Sequence, residues 1–313
     1  MENRTADGSP LSRTWVVAPL AAFCCALWGS AFAFVKRGYA LFGIASTEPA
    51  QQVFFAGMRF TLAGIMVLVG TAIVRRSFPR PQRKDLRPIL LLALMQTTLQ
   101  YIPFYIGLAH ATGTNSSLVQ GSSAFVSILV ATLVFRQESL TGRKLLGCAL
   151  GFAGVALVTL RAGAGGGSWS FLGEGLILVS VTCGAFATCL LRRFGVKGDP
   201  LLLTGWQFVV GGSALMLISA PMGGHVGQVS APAIGVLVYL GALSATAFSI
   251  WSSLLKHNVV SRVAIYRFLI PAFGVLFSIT FLHEAVPAAQ VLPLVLALSL
   301  IIAGTVIVNT EKA

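Results

Sequence analysis

Charged residues are scarce in this chain, and acidic residues are the scarcest. Only 10% of the 313 residues are charged, with 9 Asp and Glu against 22 Lys and Arg, whereas about 25% is usual for a soluble domain. This shortage excludes a water-soluble globular protein. The net charge of +13 would by itself suggest a nucleic-acid partner. The basic residues instead lie in short clusters between long apolar runs, as in membrane proteins, so we predict no nucleic-acid partner.

Motifs of enzymes and metal sites are also missing from the sequence. It contains no His-Glu-x-x-His, Gly-x-Ser-x-Gly, Gly-x-x-x-x-Gly-Lys or Cys-x-x-Cys pattern. The cysteines are odd in number and lack metal-ligand spacing, so they are interpreted as packing residues: Cys24, Cys25, Cys148, Cys183 and Cys189. The sequence therefore predicts no enzyme, no cofactor and no metal site.

Long uncharged runs make up most of the chain. Residues 88–135 and 200–255, which are 48 and 56 residues long, contain no Asp, Glu, Lys or Arg. A spanning helix needs about 20 apolar residues, so each run holds two crossings. Extended along the chain, this count predicts an all-α polytopic membrane protein with ten transmembrane helices.

The distribution of basic residues predicts the orientation. When connections are assigned to alternate sides, 17 of the 22 Lys and Arg fall on one side and 3 on the other, and Arg59 and Arg267 lie within spans. Cytoplasmic loops carry the excess of Lys and Arg. We therefore predict a multi-pass protein of the cell (inner) membrane with both termini in the cytoplasm.

The two halves of the chain resemble each other. Three matched segments lie 148, 146 and 150 residues apart: 57–59 with 205–207, 135–138 with 281–284, and 152–155 with 302–305. Because five spans is an odd number, two such units must have opposite orientations, an arrangement common in secondary transporters. A duplication that serves only stability is the alternative. The predicted parts are an N-terminal tail (1–14), a first repeat (15–161), a Gly-rich linker (162–170), a second repeat (171–308) and a C-terminal tail (309–313).

Several motifs resemble those of one family. Their order and spacing resemble the EamA-type members of the drug/metabolite transporter superfamily over about residues 18–308, and the matching residues are 28–32, Arg59, 108–112, 135–138, Gly147, Gly154, Pro271, Glu284 and Gly304. The resemblance implies a ten-helix inner-membrane carrier, commonly an exporter of amino acids, amines or other small metabolites. Gln207 stands where an exact repeat of Arg59 would be basic, so we expect an asymmetric site.

Two arginines inside predicted spans are the leading candidates for substrate binding. Arg267 lies about eight residues into helix nine, roughly 12 Å along the axis, and could bind a carboxylate through its guanidinium. Charges within a membrane are expensive and usually functional. The alternatives are an internal structural pair for Arg267 and a side chain extending to the outer headgroups for Arg59.

Polar and aromatic side chains add to this candidate site. Ser116, Gln120, Ser123 and Ser127 share one face of helix four, although helix–helix packing would also explain small polar residues there. We predict a pocket between helices three, four, eight and nine, with a contribution from helix one. Trp28, Trp206 and Trp251 could form apolar walls of this pocket or belong to an interfacial belt, and the pocket is favoured only for Trp28, which lies about mid-helix. The predicted substrate-binding set is Arg267, Gln120, Gln100, Trp28, Tyr101, Tyr266, Arg59 and Gln96.

Three residues are predicted to take part in gating. Glu138 and Glu284 end helices four and nine on opposite sides of the membrane, and an ordinary solvated ion pair is the alternative for Glu138. Pro271 would remove a hydrogen bond from helix nine and free carbonyls toward a cavity. Proton coupling is left open, because no Asp or Glu lies deep in a predicted helix.

The sequence thus predicts a secondary transporter that exports a small polar metabolite, such as an amino acid or amine, by alternating access. Its partners would be this substrate and the lipid bilayer. Import of a similar metabolite, a channel and a membrane-embedded lipid-modifying enzyme are the alternatives. The oligomeric state is not predicted.

Overall fold

A computed structural model describes residues 9–163, 170–282 and 288–310. These residues form helices and no strands, which confirms the all-α prediction. Most of the predicted linker (162–170) lies outside the described residues, and so does Glu284.

Long helices account for nearly all of the described chain. Eight of them, α1–α4 and α6–α9 below, are long and apolar enough to cross a membrane. The other two, α5 and α10, have 22 residues each and pack against one another. In chain order the helices are α1 (Thr14–Phe42), α2 (Pro49–Arg75), α3 (Arg83–His110), α4 (Asn115–Val134), α5 (Gly142–Gly163), α6 (Phe171–Gly195), α7 (Pro200–Met222), α8 (Ala231–His257), α9 (Val260–Phe281) and α10 (Ala288–Asn309).

The helix ends carry capping and turn residues. Asp199 accepts a hydrogen bond from the backbone N–H of Leu201 at the start of α7, and Ser230 does the same for Ala233 at the start of α8. Helix α1 ends at Gly43, whose φ of +69° is the left-handed conformation that favours glycine.

Several helices contain irregular segments, among them α3, α4 and α9. Segment Ala93–Leu99 of α3 and segment Val130–Val134 of α4 are π-helical, and Ile265–Phe268 of α9 forms a 3₁₀ turn. Such segments rotate the following side chains relative to a regular α-helix and often occur at functional sites. Gln96 and Arg267 lie within two of them.

Glycines permit the close crossing of α2 and α7. A Cβ atom at Gly64 would lie 2.7 Å from the carbonyl oxygen of Gly205, and one at Gly57 would lie 2.8 Å from that of Gly212. Side chains at these positions would separate the helices, so the crossing depends on glycine.

The two halves pack on each other reciprocally. Helix α1 packs on α8 and α9 of the second half, and α6 packs on α3 and α4 of the first. Likewise, α2 packs on α8, and α7 packs on α3. Each of these contacts between the first half and the second therefore has a counterpart with the roles of the halves exchanged.

The segments that connect the helices lie at two ends of the bundle, and polar contacts show which segments share an end. At one end Arg75 pairs with Asp199, and Asn258 donates to the carbonyl of Leu11. At the other end the backbone N–H of Gln228 donates to the carbonyl of Phe42 at 2.8 Å. The first of these, which we call the basic end, also holds the basic segment 75–87.

Candidate functional site

A small cavity lies among six helices at the centre of the bundle. Its volume is about 50 Å³, which is room for a few water molecules. Helices α1, α2, α3, α4, α8 and α9 supply its walls. The lining residues are Trp28, Ala31, Phe32, Arg59, Gln96, Gln100, Tyr101, Phe104, Gln120, Phe248, Arg267 and Ile270. Seven of the eight predicted substrate-binding residues are among them.

Arg267 is buried between aromatic rings, with 8% of its surface exposed. Its guanidinium carbon lies 5.5 Å from the ring centroid of Trp28 and 4.9 Å from that of Trp251, within the range of cation–π attraction. The two terminal nitrogens donate to the hydroxyls of Ser127 at 3.5 Å and Thr188 at 3.2 Å. The Nε atom has no hydrogen-bond partner.

Arg59 is still more deeply buried, with 2% exposed, so its side chain does not extend to the headgroups. Its Nε donates to the hydroxyl of Ser244 at 3.0 Å and to the carbonyl of Leu240 at 3.3 Å, while Nη1 donates to the hydroxyl of Tyr105 at 2.8 Å. These contacts hold the guanidinium at the cavity wall.

Neither cavity arginine has an acidic partner in the described part of the chain, where the ion pairs are Arg75–Asp199 and Lys144–Glu138. A buried charge without a counter-charge is costly. The cavity is therefore strongly electropositive.

Glutamines supply most of the remaining polarity. Gln96 accepts a hydrogen bond from Gln207 at 3.0 Å, so part of its capacity serves helix packing. Gln100 and Gln120 line the cavity, and Oε1 of Gln120 has no partner. The predicted serine stripe of α4 faces inward, since Ser116, Ser123 and Ser127 are fully buried.

Three residues outside the predicted substrate-binding set contact the arginines or their aromatic neighbours. Trp251 is buried and packs against Trp28 with ring centroids 4.8 Å apart, so it does not belong to an interfacial belt. Tyr105 and Thr188 are hydrogen-bond acceptors for the arginines. A signal was available for Tyr105, because it follows Tyr101 by four residues and so shares its helix face.

Two predicted site residues lie elsewhere in the structure. Tyr266 does not line the cavity, although it directly precedes Arg267, because adjacent residues of a helix point in different directions. Pro271 lies within α9, three residues after the 3₁₀ turn Ile265–Phe268. Proline cannot donate to the carbonyl four residues earlier, that of Arg267, so its position agrees with the irregular geometry of this segment.

Glu138 joins three helices at the basic end. Its carboxylate accepts hydrogen bonds from Nζ of Lys144 at 2.7 Å and from the backbone N–H of Ser261 at 2.9 Å, and a further one from the Ser261 hydroxyl. It thereby connects the end of α4 with the starts of α5 and α9. The sequence suggested a solvated ion pair as the alternative, but the Glu138 side chain is only 5% exposed.

A second buried carboxylate lies at the opposite end of the bundle. Glu174 accepts from the side-chain amide of Asn115 and from the backbone N–H of Ser170, both at 3.1 Å, and it is 6% exposed. It connects the starts of α4 and α6. Sequence reasoning missed this residue, because it lies in the first turn of a helix beside the Gly-rich segment.

Other parts of the described chain do not show a metal centre: no group of three His, Cys, Asp or Glu there is arranged to hold a metal ion. Outside the spans, burial raises the pKa of Asp199, but the hydrogen bond and charge of Arg75 and backbone N–H groups outweigh it. The net effect is a pKa below the ordinary value.

Comparisons with known proteins relate this helical bundle to membrane transporters. The model of the EamA-like transporter family matches residues 16–160 and 171–310. The chain is 30% identical over 308 residues to the uncharacterized transporter YvbV of Bacillus subtilis, covering 97% of this chain and 93% of that protein. It is 26% identical to the S-adenosylmethionine/S-adenosylhomocysteine transporter of Chlamydia muridarum, covering 87% of each.

A solved structure supports the fold independently. One crystal structure superposes with a TM-score of 0.70 at 18% identity, covering 93% of this chain and 95% of that one. At this identity the similarity concerns the fold alone.

Proposed function

Because the chain belongs to the EamA-like transporter family, a family of membrane transporters rather than enzymes, we propose that it carries a small polar metabolite across the cell membrane by alternating access. One observation carries this proposal: six helices from both halves bring two buried arginines, three glutamines and aromatic rings to one central cavity. Sites of secondary transporters lie near the midplane between two repeats.

The proposed architecture is ten transmembrane helices in two inverted repeats, residues 15–161 and 171–308. The α2–α7 crossing supports inversion. Gly57 and Gly64 recur 148 residues later as Gly205 and Gly212, and Gly57 meets Gly212 whereas Gly64 meets Gly205. Such a crossed pairing is what two equivalent helices make when they run antiparallel.

Hydrogen bonds at the cavity support the same symmetry. Arg59 donates to Ser244 and Gln207 donates to Gln96, each at 3.0 Å. Arg59 and Gln207 are 148 residues apart, and so are Gln96 and Ser244. The two halves thus use equivalent positions with different chemistry, which supports an asymmetric substrate site.

The proposed gates are the two buried carboxylates. Glu138 would hold the basic end closed through Ser261 and Lys144, and Glu174 would hold the opposite end through Asn115. Because these contacts join different helices, each must break when its end opens. Glu284 remains a proposed gate, and Pro271 a proposed bending point, on sequence grounds.

We also propose a location and a direction of transport. The basic end, with 17 basic residues assigned to it from sequence, would face the cytoplasm, and both termini would lie there in an inner membrane. We propose export as the direction. One relative is named for transport of S-adenosylmethionine and S-adenosylhomocysteine, which supports a metabolite as the class of substrate. Proton coupling would need a group outside the cavity lining, which contains no carboxylate or histidine.

Counterflow in proteoliposomes tests the function. Vesicles loaded with unlabelled solute should transiently accumulate the labelled form, with saturable kinetics, when the solute is a substrate. A panel of amino acids, amines and small organic acids provides the probes. A channel would give conductance without accumulation, an enzyme would alter the label chemically, and either result would contradict the proposal.

A reversible cross-link tests alternating access. In a background without native cysteines, Glu138→Cys with Ser261→Cys places two thiols where the carboxylate now bonds to Ser261. Oxidation should abolish counterflow, and reduction should restore it. Each single substitution is the matched control. Full transport in the cross-linked protein would contradict opening at this end.

A further inference from the structure

The central cavity contains two positive charges and no negative charge to balance them. Arg59 and Arg267 both line it, and both are buried, at 2% and 8% exposure. No described carboxylate forms an ion pair with either. Hydroxyls, a carbonyl and indole rings are their partners, and these stabilise a guanidinium only in part.

The partners also leave donors unused on both guanidiniums. Nε of Arg267 is buried and has no acceptor, and Nη2 of Arg59 makes no hydrogen bond with the described residues. A buried donor without an acceptor costs about 1–3 kcal/mol, and more when it is charged. Both arginines are therefore suited to an acceptor that carries negative charge.

The two arginines form separate binding points. They share no hydrogen-bond partner: Arg59 contacts Ser244 of α8, whereas Arg267 packs on Trp251 of the same helix. Ser244 and Trp251 are seven residues apart, which is about two turns of the helix. The two arginines therefore contact α8 at different levels, which suits two anionic groups joined by a short spacer.

We propose that the substrate is a short organic dicarboxylate, one carboxylate binding to Arg59 and the other to Arg267. This inference rests on the proposed transport function and makes its substrate class specific. A diamine or cationic amine would meet like charge at both points. A single phosphate would reach one arginine and leave the other unbalanced.

The aromatic residues of the cavity can contact the carbon chain of this substrate, and the small cavity volume determines how the substrate must enter. Tyr101, Phe104 and Phe32 line the cavity beside the arginines and can pack on a short carbon chain. The present volume of about 50 Å³ is too small for a molecule of eight or more non-hydrogen atoms, so binding requires the helices to separate. Neutralising two like charges would favour closure around the bound substrate.

Counterflow with charge-varied probes tests the inference. The probes are succinate, glutarate, butyrate, inorganic phosphate, glycerol 3-phosphate, putrescine and the neutral amino acid leucine. We expect exchange of succinate or glutarate, with butyrate at least about 10-fold weaker because one charged hydrogen-bonded group is lost. Arg59→Gln and Arg267→Gln should each reduce dicarboxylate exchange about 10- to 100-fold.

Arg75→Gln is the matched control, because Arg75 lies outside the cavity in an exposed pair with Asp199, and it should exchange succinate at the wild-type rate. Thermal shift in detergent guards against misfolded variants: succinate should raise the melting temperature of wild type and Arg75→Gln but of neither cavity variant. Exchange of putrescine, leucine or phosphate compounds without dicarboxylates would overturn the inference and leave the transport function standing. Exchange of no probe, with no thermal shift, would count against both.

Discussion

The environment of Arg267 explains how a charge can be held inside this bundle. Two indole rings and two hydroxyls surround the guanidinium. A desolvated cation–π contact contributes about 2 kcal/mol, which offsets part of the cost of burial. The same rings place two tryptophans beside the proposed binding point.

Tryptophan fluorescence should therefore report binding at Arg267. Succinate is expected to change the emission of the wild-type protein, because a carboxylate arriving at Arg267 alters the field at Trp28 and Trp251. Trp251→Phe together with Trp28→Phe should remove at least half of this change. Trp206→Phe is the matched control, since Trp206 donates to the carbonyl of Pro79 away from the cavity. An undiminished signal in the double variant would argue against binding beside these rings.

A second residue-scale prediction concerns Asp199 and pH. Its pKa is held below the ordinary value, so its contribution to stability is present above about pH 4 and disappears as the pH falls through the lowered pKa. The pair with Arg75 is partly exposed, at 46% and 28%, and should contribute at most about 1 kcal/mol.

Asp199→Asn keeps the cap on α7 but removes the charge. It should lower the melting temperature in detergent by about 2 °C at pH 7 and by less at pH 3, because protonation of Asp199 removes the wild-type charge as the pH falls. Arg75→Gln should produce a similar loss, and the double variant should be no worse than either single one. Equal destabilisation at both pH values would show that the charge is not responsible.

At the scale of elements, the crossing of α2 and α7 ties the two halves together. A Cβ at Gly64 would lie 2.6 Å from the backbone nitrogen of Val209, and neither atom belongs to a flexible side chain. Overpacking of this kind typically costs 1–3 kcal/mol. The helices would have to move apart to accept a methyl group.

Gly64→Ala should accordingly lower the melting temperature by about 2–10 °C. Gly70→Ala on the same helix is the matched control, because nothing lies within 4 Å of a Cβ there, and it should leave the melting temperature unchanged or raise it slightly. Unaltered stability of Gly64→Ala would mean that the crossing is looser than these contacts indicate.

The irregular segments of α3, α4 and α9 also belong to this scale. Uncharged apolar runs located the helices but carry no information on how each helix is rotated, so Tyr266 was placed with Arg267 and the pocket interpretation of Trp251 was not favoured. Which side chains from different helices meet depends on how each helix is rotated about its axis. Neither sequence spacing nor hydropathy specifies that rotation. The sequence did place four polar residues at the cavity that they line: Arg59, Gln96, Gln100 and Gln120. A polar side chain within a span avoids lipid and therefore faces the interior of the bundle.

For the whole molecule, the proposed inverted arrangement makes a testable prediction about sidedness. In a cysteine-free background, single cysteines at Ser46 and Val226 should react with a membrane-impermeant maleimide in intact cells. Cysteines at Ser77 and Lys197 should react only after permeabilisation, because the Arg75–Asp199 contact places their connections together at the basic end. Labelling of positions 77 and 197 from opposite sides would contradict the packing of α2 against α7.

The amino-acid sequence by itself determined that this is an all-α membrane protein of a transporter family. These properties depend on composition, apolar length and motif order, which are local and additive along the chain. The tertiary structure decided which polar residues share a cavity, that Arg59 and Arg267 lack acidic partners among the described residues, and that Trp251 faces Arg267. Those properties depend on how helices distant in sequence rotate and cross, which is set by close packing at a few glycines and by the π and 3₁₀ segments.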